Sequence, residues 1–336
     1  MSYIKGLSSS FPKNCYKQSE ILELSKKVFG HRNDFSRMIK VYNNSGVKSR
    51  FLVNKLSWYK KNHGWKERNF YFKKNSLLLL KSCISETLTK LKINSKAIGG
   101  IIVVNTTGIA TPSLDAELIN FFDFNRSIKR LPIFGYGCAG GVLGLCRGKE
   151  MHESIGKPVL VCNVELCSLT FRSQNTDNQN IVSTALFGDG ASSYIVDKDG
   201  NCKILKNMEY TWRNSLDLMG WNVENDGLGV IFDKNIAKFV KEKLPEIIKK
   251  FFPGEKDGFI LHSGGMKIIK AYKEIFNNHK SIKISEGVLS DYGNISSVSV
   301  LVVLQRILEK KSKGNFLMSA MGPGFSAGIC EMKIHE

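Results

Sequence analysis

The sequence predicts an α/β fold built from a duplicated unit. Apolar runs of strand length alternate with longer segments of helical period. Several of these runs end in Gly-rich turns. The same order of elements occurs twice at nearly the same spacing, the mark of an internal repeat.

Taken in order, residues 16–30 place Ile21, Leu22, Leu24 and Val28 near a period of 3.6 and read as a helix. Residues 67–92 read as a longer helix with Leu77, Leu80, Ile84, Leu88 and Leu91 on one stripe. GGIIVVNTTG (99–108) is a buried strand running into a turn, and Leu131–Phe134 a short strand ending at Gly135. Residues 139–152 suit a helix, Pro158–Val164 a strand, and Ala185–Val196 a strand interrupted by FGDG. The second half repeats the order. A helix at 235–252 precedes the strand Gly258–Leu261, which ends in His-Ser-Gly-Gly; an apolar helix follows Asn294; strands follow at 315–321 and at GICEMKI. From Val104 to Cys138 is 34 positions, and from Leu261 to Asn294 is 33.

The chain has 336 residues, 42% of them hydrophobic and 24% charged, which suits a globular protein of two domains or one large duplicated one. The longest apolar runs fall far short of the ~20 residues of a membrane span. The N-terminus, MSYIKGLSSSFPKN, lacks the apolar core of a signal peptide. Eight cysteines, none spaced as CxxC, argue against a disulfide scaffold or a structural zinc site. A cytoplasmic protein is expected. The net charge is +19, and residues 1–100 carry 21 Lys and Arg against 5 Asp and Glu. That excess suits a Lys-rich solvated face, a phosphorylated ligand or an acidic carrier protein. Nucleic acid is disfavoured, because no binding motif accompanies the charge.

Three residues stand at the ends of apolar strands or the turns after them, where ligands bind in such folds. Cys138 lies in Gly-Tyr-Gly-Cys-Ala-Gly-Gly at a strand-to-helix turn. A helix N-terminus there favours thiolate, although a buried Cys in a tight turn fits the same pattern. His262 ends a strand and enters a Gly-Gly turn; alone it fits a hydrogen-bonded core histidine. Asn294 precedes an apolar helix; alone it fits an N-cap. Together, a thiol nucleophile, an imidazole and an amide suffice for acyl transfer through a thioester.

These segments resemble a known family. VVNTTGIATPSLD (103–115), GYGCAGG (135–141), VELCSLTFR (164–172), ALFGDGASSYIV (185–196), ILHSGG (260–265), SEGVLSDYGNISS (285–297) and MGPGF (321–325), in this order, look like the type III polyketide synthases, the chalcone-synthase-like branch of the thiolase superfamily. Ketoacyl-ACP synthase III proteins share the triad but usually carry HQAN around the His, where this chain has HSGG, and they lack the signature Gly322-Pro323-Gly324. MGWNVENDGLGV (219–230) and WKERN (65–69) look more like the bacterial alkylpyrone and alkylresorcinol synthases.

The resemblance implies a thiolase-like fold in which duplicated α/β units form a layered αβαβα core. Its N-terminal half (1–205) carries Cys138, and its C-terminal half (206–336) carries His262 and Asn294. It implies that Cys138, His262 and Asn294 are catalytic, that an acyl-CoA starter loads on Cys138, and that malonyl-CoA is decarboxylated and condensed onto it before cyclisation to a pyrone or resorcinol. It places Phe187 at the gate of the substrate cavity, Thr106, Cys167, Thr170 and Ser296 along its wall, and Trp221 and Val230 near its floor and second gate. Arg37, Lys40, Lys48 and Arg50, with Gly264 and Gly265, fall where relatives bind coenzyme A. The implied protein is a homodimer with CoA thioesters as substrates and no cofactor, and an acidic acyl carrier protein is a further donor suited to the basic excess. A single-condensation β-ketoacyl synthase and a non-catalytic basic binding module are the alternatives, separated by product mass and by the effect of losing Cys138.

Overall fold

The continuous apolar runs become strands buried on both faces, the pattern of a sheet covered on either side. In the computed structural model, which describes residues 1–335, the strands are β1 (Ser2–Ser10), β2 (Asn14–Lys17), β3 (Ser49–Leu52), β4 (Gly100–Asn105), β5 (Lys129–Phe134), β6 (Val159–Leu166), β7 (Asp189–Asp197), β8 (Cys202–Thr211), β9 (Met219–Glu224), β10 (Gly227–Phe232), β11 (Gly258–Leu261), β12 (Gly314–Gly322) and β13 (Ser326–Ile334). The helices are α1 (Gln18–Phe29), α2 (Phe35–Asn43), α3 (Leu56–Tyr59), α4 (Trp65–Leu91), α5 (Leu114–Phe121), α6 (Gly140–Ile155), α7 (Asn178–Leu186), α8 (Ile236–Phe251), α9 (Met266–Ile275), α10 (Ile282–Tyr292) and α11 (Ser297–Glu309).

Nine strands form one mixed sheet in the order β11-β12-β13-β8-β1-β7-β6-β4-β5. The duplication is visible in its pairing. On one side β4–β6 is parallel, while β6–β7 and β7–β1 are antiparallel. On the other β11–β12 is parallel, while β12–β13 and β13–β8 are antiparallel. The two series meet at the antiparallel β1–β8 pair, and the junction expected at 205/206 falls inside β8.

Side-chain alternation sorts the layers. Ile102 and Val104 of β4, and Met318 and Ala320 of β12, face one central core that also holds Val142 and Leu143 of α6 and Val300 and Leu301 of α11. The opposite faces pack outward. Ile101 and Val103 meet Leu80 and Ile84 of α4, and Leu317 and Ile329 meet Leu244 of α8 and Ile269 of α9. The result is the αβαβα layering that the resemblance implied, with α6 and α11 as its middle layer. Among the described residues, no helix is long and apolar enough to cross a membrane.

One expectation about local structure is corrected. Ala185–Val196 is not an interrupted strand. Ala185 and Leu186 end α7, where Ile181 and Ala185 bury against Ile21, Leu24 and Phe29 of α1, and the strand begins only at Asp189. The Ser-rich N-terminus, read only for its lack of a signal-peptide core, is the strand that joins the two halves of the sheet.

Glycines let the middle layer close. A Cβ at Gly140 would lie 2.8 Å from Val104 Cγ1 and 3.2 Å from Ser297 Cβ; at Gly141 it would lie 2.3 Å from the Ser297 carbonyl oxygen. The first turn of α6 therefore touches the first turn of α11. Gly141→Ala is expected to destabilise the protein by about 1–3 kcal/mol, read as a lower Tm, through overpacking. Gly64→Ala, with open space around it, is expected to stay within about 0.5 kcal/mol. Equal effects would show that the contact relaxes freely.

Candidate active site

The apposed helix starts place Cys138 and Asn294 together. Cys138 lies in a short 3-10 turn, Gly137–Ala139, between β5 and α6. Gly137 has φ +50°, and a Cβ on it would lie 2.5 Å from Pro323 Cδ; a Cβ on Gly322 would lie 2.3 Å from the Tyr136 carbonyl oxygen. The Gly322-Pro323-Gly324 turn thus backs the cysteine's loop at contact distance. The thiol is 7% exposed. Burial pushes it up to about 12, helped by the neighbouring Glu165 carboxyl, while hydrogen bonds from Ser296 and Asn294 act in the opposite direction. The structure opposes the expected helix-end thiolate: α6 begins two residues later, and burial favours the neutral thiol.

Asn294 is held by its backbone and its side chain. Its N–H donates to Leu186 O (2.7 Å), and its carbonyl accepts from Gly188 N–H (3.0 Å). Its Oδ1 accepts from Ser296 N–H (2.9 Å), and its Nδ2 donates to Gly264 O (3.2 Å). Ser296 sits at φ +45° to make this turn. Gly264 in turn adjoins His262: a Cβ on it would lie 3.1 Å from Cδ2 and 3.2 Å from Nε2 of the ring. His262 continues the parallel ladder, its N–H donating to Ser319 O (3.1 Å). Its ring is buried, and neither nitrogen has a hydrogen-bond partner among the described residues. Burial pushes its pKa down to about 4, so the imidazole is neutral near pH 7.

Glu165 is the polar residue that sequence reasoning missed. It stands fully buried in β6, whose one other polar side chain is Asn163. Its Oε2 accepts from Thr106 N–H (3.1 Å) and Thr107 Oγ1 (3.0 Å), and its Oε1 from Ser297 Oγ (2.8 Å) and Ser296 Oγ (3.4 Å). One carboxyl therefore ties the end of β4 to the start of α11. A lone Glu inside an apolar strand was the available signal. Burial raises its pKa to about 7 against those hydrogen bonds.

The expected wall residues surround this centre. Cys167 and Thr170 lie in the buried 3-10 turn after β6, where Thr170 Oγ1 donates to Cys167 O (2.8 Å). Asp189 holds that turn by accepting from Ser168 N–H (2.8 Å) and Ser168 Oγ (2.5 Å). Phe187 packs edge-on against Trp221 (6.2 Å between centroids) and Phe232 (5.7 Å), and Val230 pairs with Trp221 across the β9–β10 hairpin. Thr106 and Ser296 reach the site through Glu165. Gly265, at φ +148°, turns the chain into α9.

The expected cations divide. Arg37, Lys40 and Lys48 are exposed. Arg50 is 1% exposed and donates to Thr184 O (2.9 Å), Ala185 O (2.8 Å) and Phe187 O (3.1 Å), besides contacting Gln18 Oε1. Its assignment to coenzyme A is corrected: the guanidinium is spent on the carbonyls that end α7, and it fixes Phe187 rather than a phosphate.

The buried groups set a pH dependence of stability. Glu165 titrates higher folded than unfolded, so its contribution is full below about pH 4.5 and is lost as pH rises through about 7, on the order of 3 kcal/mol in all. His262 is depressed, so its contribution is full above about 6.5 and is lost as pH falls toward about 4. Glu165→Gln is expected to flatten the Tm-against-pH curve between about pH 5 and 8. An unchanged slope would show that the carboxylate is not desolvated.

Comparison with known proteins finds relatives along nearly the whole chain. Residues 3–200 match the N-terminal domain of chalcone and stilbene synthases, and residues 213–330 match the C-terminal domain. The chain is 31% identical over 356 aligned residues to a "Putative chalcone synthase" of Bacillus subtilis (strain 168), covering 98% of each. It is 28% identical to a 1,3,6,8-tetrahydroxynaphthalene synthase of Streptomyces peucetius subsp. caesius, covering 96% of this chain and 91% of that protein. The crystal structure of the corresponding synthase from Streptomyces coelicolor A3(2), a bacterial type III polyketide synthase, superposes with a TM-score of 0.93 at 23% identity over 99% of both chains. The chain belongs to the chalcone and stilbene synthase family, the type III polyketide synthases.

Proposed function

We propose that the protein is an acyltransferase that condenses malonyl-CoA onto an acyl-CoA starter held as a thioester on Cys138. A pyrone or resorcinol-type product then forms by cyclisation. The observation that carries this reading is the junction of α6 and α11, which sets the Cys138 thiol beside the Asn294 amide and links Asn294 through Gly264 to His262.

Each group has a role its environment suits. The neutral His262 ring accepts the Cys138 proton as the starter's carbonyl is attacked and returns it to the coenzyme A sulfur as that thiol leaves. Asn294 Nδ2 and the N–H of the neutral His262 ring then donate to the carbonyl oxygen of malonyl-CoA. As CO2 leaves, negative charge grows on that oxygen, and donors fixed in a dry site stabilise it. The resulting carbanion attacks the acyl carbon on Cys138, and the lengthened chain returns to the cysteine. Phe187 is the gate, with Thr106, Cys167, Thr170, Ser296, Trp221 and Val230 shaping the cavity. Arg37, Lys40 and Lys48, exposed near the β3 end of the molecule, are candidates for the phosphates, and Gly264 and Gly265 for close approach of the pantetheine arm. A medium or long aliphatic starter with two or three extensions is the substrate class proposed. The same basic surface suits an acidic carrier protein as a second donor. The reaction calls for no resident cofactor.

We place the protein in the cytoplasm, where a reducing compartment suits eight free cysteines. We also propose a homodimer. Strand β5 is one of the two edge strands of the nine-stranded sheet; Phe134 on it is 55% exposed, and Phe121 on α5 is 56% exposed. An uncovered sheet edge with exposed aromatic side chains favours pairing with a second copy.

Purified protein given malonyl-CoA and starters from acetyl- to stearoyl-CoA is expected to form pyrone or resorcinol masses, and Cys138→Ala to form none. A β-keto product from one addition would favour a single-condensation synthase, and absence of acyl-Cys138 would sink the reading. Asn294→Ala is expected to lower malonyl-CoA decarboxylation about 100-fold while Cys138 still acylates, the size of losing one oxyanion donor. Equal loss of both steps would assign Asn294 to structure alone.

A further inference from the structure

The β9–β10 hairpin is the part of the cavity wall least joined to the body. It forms its own two-stranded sheet, unpaired with the main one. At its base, Trp221 and Phe232 pack on Phe187. Toward its tip the contacts change character. A polar cleft lined by Arg172, Asn175, Asp177, Asn180, Asn222 and Glu224 lies between the hairpin and the segment after the Cys167–Thr170 turn. The outer strand is solvent-facing there, with Val223 78% exposed. Leu228, 3% exposed, is the buried apolar side chain next to the tip.

Charge closes the cleft beside it. The Arg172 side chain is 5% exposed; it contacts the Glu224 carboxylate through both terminal nitrogens and donates to Asp226 Oδ1 (3.1 Å). Glu224 lies folded across the hairpin: a Cβ on Gly229 would lie 2.0 Å from its Oε1. Arg172 is fixed from behind, its N–H donating to Asn180 Oδ1 (3.3 Å) and its carbonyl accepting from Asn180 Nδ2 (2.8 Å). A second buried arginine, Arg68, stands beside it. Arg68 donates to Leu169 O (2.8 Å) and Phe171 O (2.5 Å), on the same wall as Cys167 and Thr170, and a Cβ on Gly227 would lie 3.1 Å from its Cδ. Asp226 attracts Arg68, and Arg172 repels it. Two buried cations are thus rooted in the fixed wall, and two anions that neutralise them ride on the hairpin. Lifting the hairpin would leave the two cations facing one another without their carboxylate partners, and buried charge stripped of its counter-charge is strongly unfavourable.

We infer that Arg172 is a latch: by holding Glu224 and Asp226 it sets the position of Trp221 and Val230, and so the length of acyl starter the cavity accepts. The inference rests on the condensing activity proposed above. Arg172 is a positioning residue. The Phe187 packing is the pivot, and the ion cluster, at the far end of the hairpin, is the catch.

The test is the isosteric double variant Glu224→Gln/Asp226→Asn, which keeps shape and removes both anions. Amide hydrogen exchange in residues 219–232 is expected to accelerate about tenfold or more, with the central strands unchanged, as loss of charge-assisted bonds frees a local unit. The ratio of kcat/KM for tetradecanoyl-CoA to that for hexanoyl-CoA is expected to shift by about tenfold, carried by KM, with kcat for hexanoyl-CoA within about twofold. Arg172→Lys, which keeps the charge but loses the two-pronged contact, is expected to fall between. Glu224→Gln alone, at a 41% exposed side chain, serves if the double variant does not fold. Unchanged exchange in 219–232 would overturn the latch. Faster exchange with an unchanged starter ratio would overturn its control of chain length. If the wild type condenses no starter, the proposed activity fails instead, while the exchange measurement still tests the latch.

Discussion

Everything in the proposed site depends on how closely the first turn of α6 approaches the first turn of α11. Two helices packed through ordinary side chains lie about 8–10 Å apart, too far for residues at their starts to share one reacting group. Gly140 and Gly141 remove the side chains that would hold them apart, so the Ser297 backbone lies where a Cβ would otherwise be. The duplicated sheet then supplies each helix with an equivalent preceding strand. The nucleophile comes from one repeat and the amide from the other, with His262 added from the strand that leads to α11. The site is an interface between repeats rather than a property of either.

Burial governs the electrostatics of that interface. Cys138 is held as a thiol and His262 as a neutral ring, each by desolvation first. Glu165 is poised between its two forms although it accepts four hydrogen bonds. The resting centre therefore carries little charge. Charge that develops during a reaction meets a medium of low polarity, where the fixed Asn294 amide acts more strongly than it would in water. A protein with an overall charge of +19 keeps that excess on its surface and away from the chemistry.

The legible parts of the chain were those where one residue type has few uses. Glycines around Cys138, the Gly-Gly after His262 and the Asn before an apolar helix all mark places where the backbone turns or approaches closely, and the structure puts them at one point. Apolar runs located β4, β6, β11 and β12, because strands covered on both faces carry few polar residues. The rest was hidden for identifiable reasons. Glu165 breaks no periodicity, since two polar residues in eight, Asn163 and Glu165, still leave β6 a mostly apolar run. Arg50 looks like any surface arginine until the carbonyls that end α7 are in place around it. Ala185 and Leu186 are apolar in a strand or a helix alike, and only packing on α1 decides between them. Strand β1 has the composition of a loop, and its partners lie far away in the chain.

That last separation bears on how the molecule is made. Tyr3 pairs with Asp197 and Ile4 with Cys202, so β1 has no sheet to join until the chain beyond residue 200 exists. Contacts of such long range are slow to form, and unpaired strands are exposed to wrong partners meanwhile. Strand β1 is made well before the partners on either side of it, and its pairing with β7 and β8 joins the two repeats into one continuous sheet.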